Sequence, residues 1–277
     1  MERPEGDPLW PERLLFVGCG NMAGAILSRW LDCGLPPYRV QVVRPSGKPF
    51  GRDVEVVTHL EATVTAGTWI VLGFKPQQLS QVAAEIGPFL GHHPRLLSIL
   101  AGVPVAQLEQ CFPDAAAIVR CMPNLPVRTG QGVSLFYPGR GIGVALQESI
   151  SITFRLLGLV EWLDDEALFD AATALSGCGP AFVYRFIDAL AKAGAALGLD
   201  PAMAARMAQA TVAGASISAV QSDASPDAMA DAVASKGGMT RQGLDVLDED
   251  AALNALIERT LRAARDRGAE LARLAKG

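Results

Sequence analysis

Histidine is scarce in this chain: His59, His92 and His93 are all that occur in 277 residues. None belongs to a His-Glu-x-x-His or His-x-x-Glu-His arrangement, so a metal hydrolase is not expected and no metal site is assigned. His92 and His93 stand in a polar stretch before Pro94 and read as loop residues. Cysteine is no better organised. Cys19, Cys33, Cys111, Cys121 and Cys178 are odd in number and irregular in spacing, with no Cys-x-x-Cys pair. This argues against a disulfide framework or a structural zinc and fits reduced thiols in the cytoplasm. No apolar run approaches the roughly 18 residues that a membrane span needs. The first 13 residues carry early acidic groups and lack the apolar core of a signal peptide. A basic excess is missing too. The formal net charge is -5, and the isoelectric point is about 5.3. No nucleic-acid partner is expected from such a balance. The cations between Arg259 and Lys276 are interleaved with Glu258, Asp266 and Glu270, the pattern of a solvated helix face.

What the chain does have is apolar content, 50% of its residues, enough for a sizeable core. Its two halves follow different patterns. From Leu14 to about Pro138, short β-rich runs alternate with helical stretches. Strands are predicted at Leu14–Val17, Val40–Val43, Val54–Thr58, Trp69–Gly73, Leu96–Ile99 and Ala117–Arg120, with a further one at Gly132–Tyr137. Helices are predicted at Met22–Cys33 and Gln77–Ile86. This alternation implies a mostly parallel sheet with helices on its faces, the doubly wound α/β class. From Leu146 onward the pattern is helical: Leu146–Leu157, Pro180–Leu197, Pro201–Val220, Pro226–Ala234 and Ala251–Leu274. Pro180, Pro201 and Pro226 fall near helix starts, where a missing N–H costs nothing. Trp162–Asp165 breaks the apolar pattern, which sets the expected domains at 12–164, α/β and dinucleotide-binding, and 165–277, all-α. Helices this rich in alanine, with apolar surface to cover, predict a dimer interface in the second half.

The run Leu14–Ile26, LLFVGCGNMAGAI, puts Gly18, Gly20 and Ala23 in a GxGxxA arrangement between a strand and a helix. Gly18 suits the tight turn, Gly20 leaves room for a pyrophosphate, and Ala23 permits close helix–sheet packing. The helix N-terminus, from Asn21 and Met22, faces the negative charge. An NAD-selective site usually carries Asp or Glu after its second strand. Here Val43 is followed by Arg44, Pro45, Ser46, Gly47 and Lys48. Arg44, Ser46 and Lys48 suit a 2'-phosphate, so NADPH is the expected cofactor, with NADH as the alternative.

With those residues in place, the sequence resembles the pyrroline-5-carboxylate reductase family from about Leu14 to Leu271. Val17–Ile26 (VGCGNMAGAI), Phe74–Gln77 (FKPQ), Ser98–Val103 (SILAGV) and Arg120–Pro126 (RCMPNLP) come in the family's order. Leu175–Leu199 and Lys236–Leu244 (KGGMTRQGL) follow. The resemblance implies a Rossmann-type NAD(P)H-binding domain and a helical domain that forms a homodimer, with a higher assembly of dimers left open. It implies NAD(P)H-dependent reduction of 1-pyrroline-5-carboxylate to L-proline, the last step of proline biosynthesis. In the family a glycine-rich segment of the helical domain holds the substrate carboxylate, and its threonine lies near the imine. Carried over, Gly237, Gly238 and Met239 bind substrate, with Ser235 and Lys236 beside them, and Thr240 is the catalytic candidate. Lys75–Pro76 and Asn124 resemble residues on the cofactor side. Where the family usually has Ser-Pro-Gly-Gly, this chain has Ser235, Lys236, Gly237 and Gly238. Losing the proline frees one N–H and one φ angle, and Lys236 adds a cation.

Reduction of a C=N bond needs a hydride on carbon and a proton on nitrogen. A cyclic imine can be protonated in solution near neutral pH, so no histidine acid is required. The protein's task is alignment. Thr240 is expected to position and polarise the imine, or to cap a helix beginning near Gln242. Cys121 and Cys178 read as small buried fillers. Three alternatives remain: a reductase of another cyclic imino acid, a hydroxyacid dehydrogenase using Lys192, and a non-enzymatic NAD(P)-binding regulator.

Overall fold

Both faces of the first strand are buried, as four consecutive apolar residues require. Leu14 and Phe16 point into one core and Leu15 and Val17 into the other. The architecture comes from a computed structural model, which describes residues 10–91 and 93–274, less the side chains of 271–274. The readings placed on residues 1–9, His92 and Lys276 lie outside the described residues. By contacts the chain divides into two units. The first runs through Cys178 and takes back the chain from Ala264; the second is Gly179–Ala263.

The first unit is an eight-stranded sheet in the order β3-β2-β1-β4-β5-β6-β7-β8. The strands are β1 (Leu14–Val17), β2 (Val40–Val43), β3 (Glu55–Val57), β4 (Trp69–Leu72), β5 (Arg95–Ser98), β6 (Ala117–Pro123), β7 (Gly132–Pro138) and β8 (Gly158–Trp162). All neighbouring pairs are parallel except β6 with β7. The helices are α1 (Asn21–Asp32), α2 (Leu79–Ile86), α3 (Val105–Cys111), α4 (Val144–Phe154) and α5 (Phe169–Ala172). A π-helical stretch, Thr173–Gly177, follows α5.

Trp30 on α1 anchors one core. Its ring meets Phe154 edge-on at 5.1 Å, and its indole N–H donates to the Thr153 carbonyl at 3.1 Å. An indole buried in this way and hydrogen-bonded contributes about 2–3 kcal/mol from its apolar area.

The helical reading from Leu146 onward needs one correction, because β8 interrupts it. In β8 only alternate residues are half-buried, and Leu159 and Glu161 face solvent, so no continuous apolar run marks it as an edge strand. Its start depends on a glycine: a Cβ at Gly158 would stand 2.1 Å from the Gly132 carbonyl oxygen on β7. Two short helices were also missed, α3 and α5. Seven and four residues are too few to develop a clear period. The sequence-based division at 164/165 follows the end of β8, whereas division by contacts falls after the π-helix.

The second unit contains α6 (Gly179–Ala196), α7 (Pro201–Gln221), α8 (Pro226–Ala232) and α9 (Met239–Asp248). The last helix, α10 (Ala252–Leu274), begins in it. Asp200 caps α7 through the Met203 N–H at 2.8 Å, and Ser225 caps α8 through Ala228 at 3.2 Å. Gly194 on α6 faces Ala204 on α7, where even an added Cβ would lie in ordinary contact at 3.5 Å from the Ala204 Cβ. Outward-facing apolar residues remain on α6, among them Val183, Tyr184 and Phe186. The acids interleaved on α10 pair with its arginines: Glu258 with Arg262, Asp266 with Arg265 and Glu270 with Arg267. Among the described residues no helix is long and apolar enough to cross a membrane, and no group of three or more His, Cys, Asp or Glu side chains is placed to hold a metal ion.

Candidate active site

The carboxyl ends of β1, β2 and β4 meet at one edge of the first unit. Gly18 N donates to Val43 O at 2.8 Å and Gly73 N to Val17 O at 2.9 Å, so the chain leaves all three strands at one level. In an open α/β sheet this is where ligands bind, because the crossovers diverge there. Gly18 has φ +78°, and a Cβ on it would stand 2.9 Å from backbone atoms of Gly73 and Phe74. Gly73 in turn leaves no room for a Cβ, which would lie 2.8 Å from that of Ala23. Three small residues thus let α1 start directly over the sheet.

Gly20 is the N-cap of α1, and the space where its Cβ would stand is open to 4 Å. No side chain caps this helix, and its first turn holds no acid. First-turn N–H groups without intrahelical partners, at the positive end of the helix dipole, suit a phosphate group. The residues present therefore fit a dinucleotide.

A cleft of about 490 Å³ surrounds this point. Its walls include Gly18–Ala23, Arg44, Pro45 and Ser46, then Gly73–Lys75 with Gln78 and Ile99. Of the cofactor candidates, Gly18, Gly20, Asn21, Met22, Ala23, Arg44, Ser46 and Lys75 are brought together there. Pro76 begins the short turn that leads into α2. Asn124 does not line this cleft. Its Oδ1 accepts the Val133 N–H and its Nδ2 donates to the Ser176 carbonyl, both at 2.9 Å. It fastens the end of β6 to β7 and to the π-helix.

Cys19, Pro45, Gly73, Phe74, Gln78 and Ile99 were assigned no cofactor contact from the sequence. Gly73 carried the clearest signal, a glycine closing an apolar strand. Burial pushes the Cys19 thiol up, while the charge of Arg44 pulls it down. The Arg44 guanidinium donates to the Lys48 carbonyl, and its Nε is buried without a partner. Lys48 N donates to Ser46 Oγ at 3.4 Å. The loop after β2 therefore holds a cation at the cleft, folded partly onto its own backbone.

In the second unit, Ser235–Thr240 forms a turn between α8 and α9. Gly238 N donates to Ser235 O at 2.9 Å. Gly238, extended at φ −80° and ψ 167°, is the N-cap of α9 with no side-chain bond. The helix thus starts at Met239, three residues before the expected Gln242. Thr240 lies inside the first turn and does not cap it, because the extended Gly238 already ends the turn and its carbonyl accepts the Gln242 N–H at 3.2 Å. Ser235, Lys236, Gly237, Met239 and Thr240 are exposed, and Gly238 is half-buried. Lys192, the acid of the dehydrogenase alternative, pairs with Asp188 on its own helix at 2.8 Å.

The residue directly after this turn was assigned no role from the sequence. Arg241 pairs with Asp245 at 2.8 Å and with Asp231 and Asp248 at 3.1 Å. The bond to Asp245 holds its guanidinium above the ordinary arginine range. The acids stand ten residues before and four and seven after, and only the Asp245 spacing is a signal legible in sequence.

Residues 166–271 match a family model described as pyrroline-5-carboxylate reductase dimerisation. Residues 13–102 match one described as NADP oxidoreductase, coenzyme F420-dependent. The chain is 34% identical to a pyrroline-5-carboxylate reductase of Pseudomonas aeruginosa over 94% of its length and 97% of that protein. It superposes on the pyrroline-5-carboxylate reductase of Coxiella burnetii with a TM-score of 0.84 at 29% identity, covering 95% of this chain and 99% of that one. With the NADP-bound pyrroline carboxylate reductase of Plasmodium falciparum the TM-score is 0.82 at 26% identity, covering 94% and 98%. The likeness runs through both units and both candidate segments, and the chain belongs to the pyrroline-5-carboxylate reductase family.

Proposed function

We propose that this protein reduces 1-pyrroline-5-carboxylate to L-proline with a nicotinamide cofactor, NADPH before NADH. The observation that carries the reading is the Gly18–Ala23 cradle at an uncapped helix start, in a chain related over nearly its whole length to reductases of this imine. The cradle residues hold the pyrophosphate, and Arg44 and Ser46 meet the adenosine 2'-phosphate. Lys75, Pro76 and Asn124 support the nicotinamide side, Asn124 through its bonds to Val133 and Ser176. When bound, the reduced cofactor supplies a hydride to the imine carbon.

The remaining work falls to Ser235–Thr240. The N–H groups of Gly237, Gly238 and Met239 bind the substrate carboxylate, since consecutive amides at a helix start converge on one anion. Ser235 supports the turn. Lys236, which forms no ion pair among the described residues, adds a countercharge at its edge. The Thr240 hydroxyl bonds the imine nitrogen end and fixes which face is presented. The imine arrives protonated from solution, so after reduction the nitrogen keeps the proton it brought. Residues 12–164 hold the cofactor, and residues 165–277 supply the substrate turn and the contacts of a homodimer. The protein works in the cytoplasm.

The test is NADPH oxidation followed by absorbance with 1-pyrroline-5-carboxylate, its six-membered homologue and a set of 2-keto acids. Turnover should be highest with the five-membered imine. Preference for the homologue would move the assignment to another cyclic imino acid, and no turnover with any imine would overturn it.

A further inference from the structure

Helix α9 is built against its own dipole. Its first turn carries Arg241 and no acid, while Asp245 and Asp248 lie further along. A cation belongs at a helix C-terminus, and an arginine four residues before an acid is the weaker order for a pair within a helix. Local stability does not account for this charge order. Its effect on geometry does. Arg241 Nη1 reaches back 3.1 Å to Asp231 in the last turn of α8, while Nε and Nη2 hold Asp245 and Asp248 on α9. One planar guanidinium thus spans both ends of the Ser235–Thr240 turn through three separate nitrogens, a reach that a lysine ammonium, with its donors on a single nitrogen, does not reproduce. The arginine side chain is 28% exposed, the least exposed of the four partners.

We propose that Arg241 is a positioning residue for the reduction: it ties α8 to α9 so that the Ser235–Thr240 turn keeps its amides and its hydroxyl in one geometry. The inference rests on the assignment of that turn to the substrate. With one cation facing three carboxylates, Arg241 is not free to bind the substrate carboxylate itself. The first turn of α9 itself contributes no acid, and Asp231, the acid that approaches it from α8, is neutralised by Arg241. The clamp takes over a task the missing proline of this turn would otherwise share. A turn with Lys236 in that position has one more free φ angle, and the guanidinium restrains it from both sides.

The experiment uses the full chain in five forms: wild type, Arg241→Ala, Arg241→Lys, Asp231→Asn and the double variant Arg241→Ala/Asp231→Asn. Arg241→Ala should raise the imine KM about tenfold and leave the NADPH KM within about twofold. Arg241→Lys should recover only part of the loss. Asp231→Asn should give a smaller rise, and the double variant should be no worse than Arg241→Ala, because both remove the same link. Hydrogen exchange should show faster exchange in residues 235–240 of Arg241→Ala and Asp231→Asn, a readout independent of turnover. Should Arg241→Ala fail to fold, Asp231→Asn carries the test alone by the same two readouts. Unchanged imine KM and unchanged exchange, or additive losses in the double variant, would overturn the clamp. Thr240→Ala serves as the control. If it too leaves imine kinetics unchanged, the turn is not the substrate site and the parent assignment fails with the clamp; if it alone is impaired, only the clamp fails.

Discussion

Arg120 and Glu166 form an ion pair with Nη1 2.8 Å from Oε1, and only 6% of the arginine side chain is exposed. The same Oε1 accepts the N–H of Val105 at 2.9 Å, the first residue of α3. Arg120 also lies 3.8 Å over the Phe169 ring. One carboxylate therefore meets a buried cation from the sheet and a helix start together, while Asp170 Oδ1 stands 3.8 Å from the same guanidinium. Removing Glu166 deprives the helix start of its acceptor and leaves Arg120 only the longer contact to Asp170. Glu166→Ala should destabilise the protein by about 3 kcal/mol, the scale for losing one partner of a buried pair. Glu166→Gln keeps an acceptor and should cost less. Urea unfolding at pH 7 and fixed protein concentration measures both, and a loss below about 1 kcal/mol for the alanine variant would contradict the assigned role.

Gly18→Ala should abolish cofactor binding while leaving a folded, less stable protein. The added Cβ meets backbone 2.9 Å away at a φ of +78°, and left-handed backbone alone costs an alanine about 1–2 kcal/mol. Cofactor titration by fluorescence and a thermal melt separate the two effects. A wild-type affinity would show that the turn at Gly18 is not the cradle.

Cofactor choice rests on the loop after β2. The wild type is expected to have a lower KM for NADPH than for NADH, since Arg44 and Ser46 line the cleft and no carboxylate follows Val43. Arg44→Asp should reverse or erase the preference. Wild-type kinetics favouring NADH would remove the phosphate role of this loop.

At the other end of the reaction, Thr240→Ala should lower kcat/KM for the imine by about 1.5–3 kcal/mol, the scale for losing a hydrogen bond to a charged group. Thr240→Ser keeps the hydroxyl and should retain most activity. The cofactor KM should hardly change in either. Equal kcat/KM in Thr240→Ala and wild type, with a deuteride isotope effect showing that chemistry limits the rate, would sink the role.

Assembly has its own measurement. Val183, Tyr184 and Phe186 on α6 are 45%, 59% and 52% exposed, in a segment that matches a dimerisation family. Light scattering at micromolar concentration should return twice the chain mass or a multiple of it. Val183→Asp combined with Phe186→Asp should reduce that mass, and a monomeric wild type would refute the interface.

The sheet and most helices were legible because their signals are local. Four apolar residues announce β1, and Pro201 and Pro226 stand at the first positions of α7 and α8, on the predicted starts. Signals fade where an element is short or half exposed. Helix α3 has seven residues, and β8 shows solvent every second one. The start of α9 was placed late because an uncapped glycine, rather than a Ser or Asp, begins it.

By itself, then, the sequence determined the tight glycine turn between β1 and α1 and the glycine-rich turn before α9. Gly18, Gly20 and Ala23 act within two turns of backbone, and the sterics of φ and of a missing Cβ operate between residues close in the chain. Tertiary structure alone decided that Gly73 is the partner against which Gly18 must be bare, that Asn124 is spent on Val133 and Ser176, and that Arg241 grips Asp231. Each of those facts is a distance between segments the chain brings together only on folding. A side chain's hydrogen bonds and charges are set by whichever groups arrive within a few ångströms of it, and that arrival is a property of the packed structure.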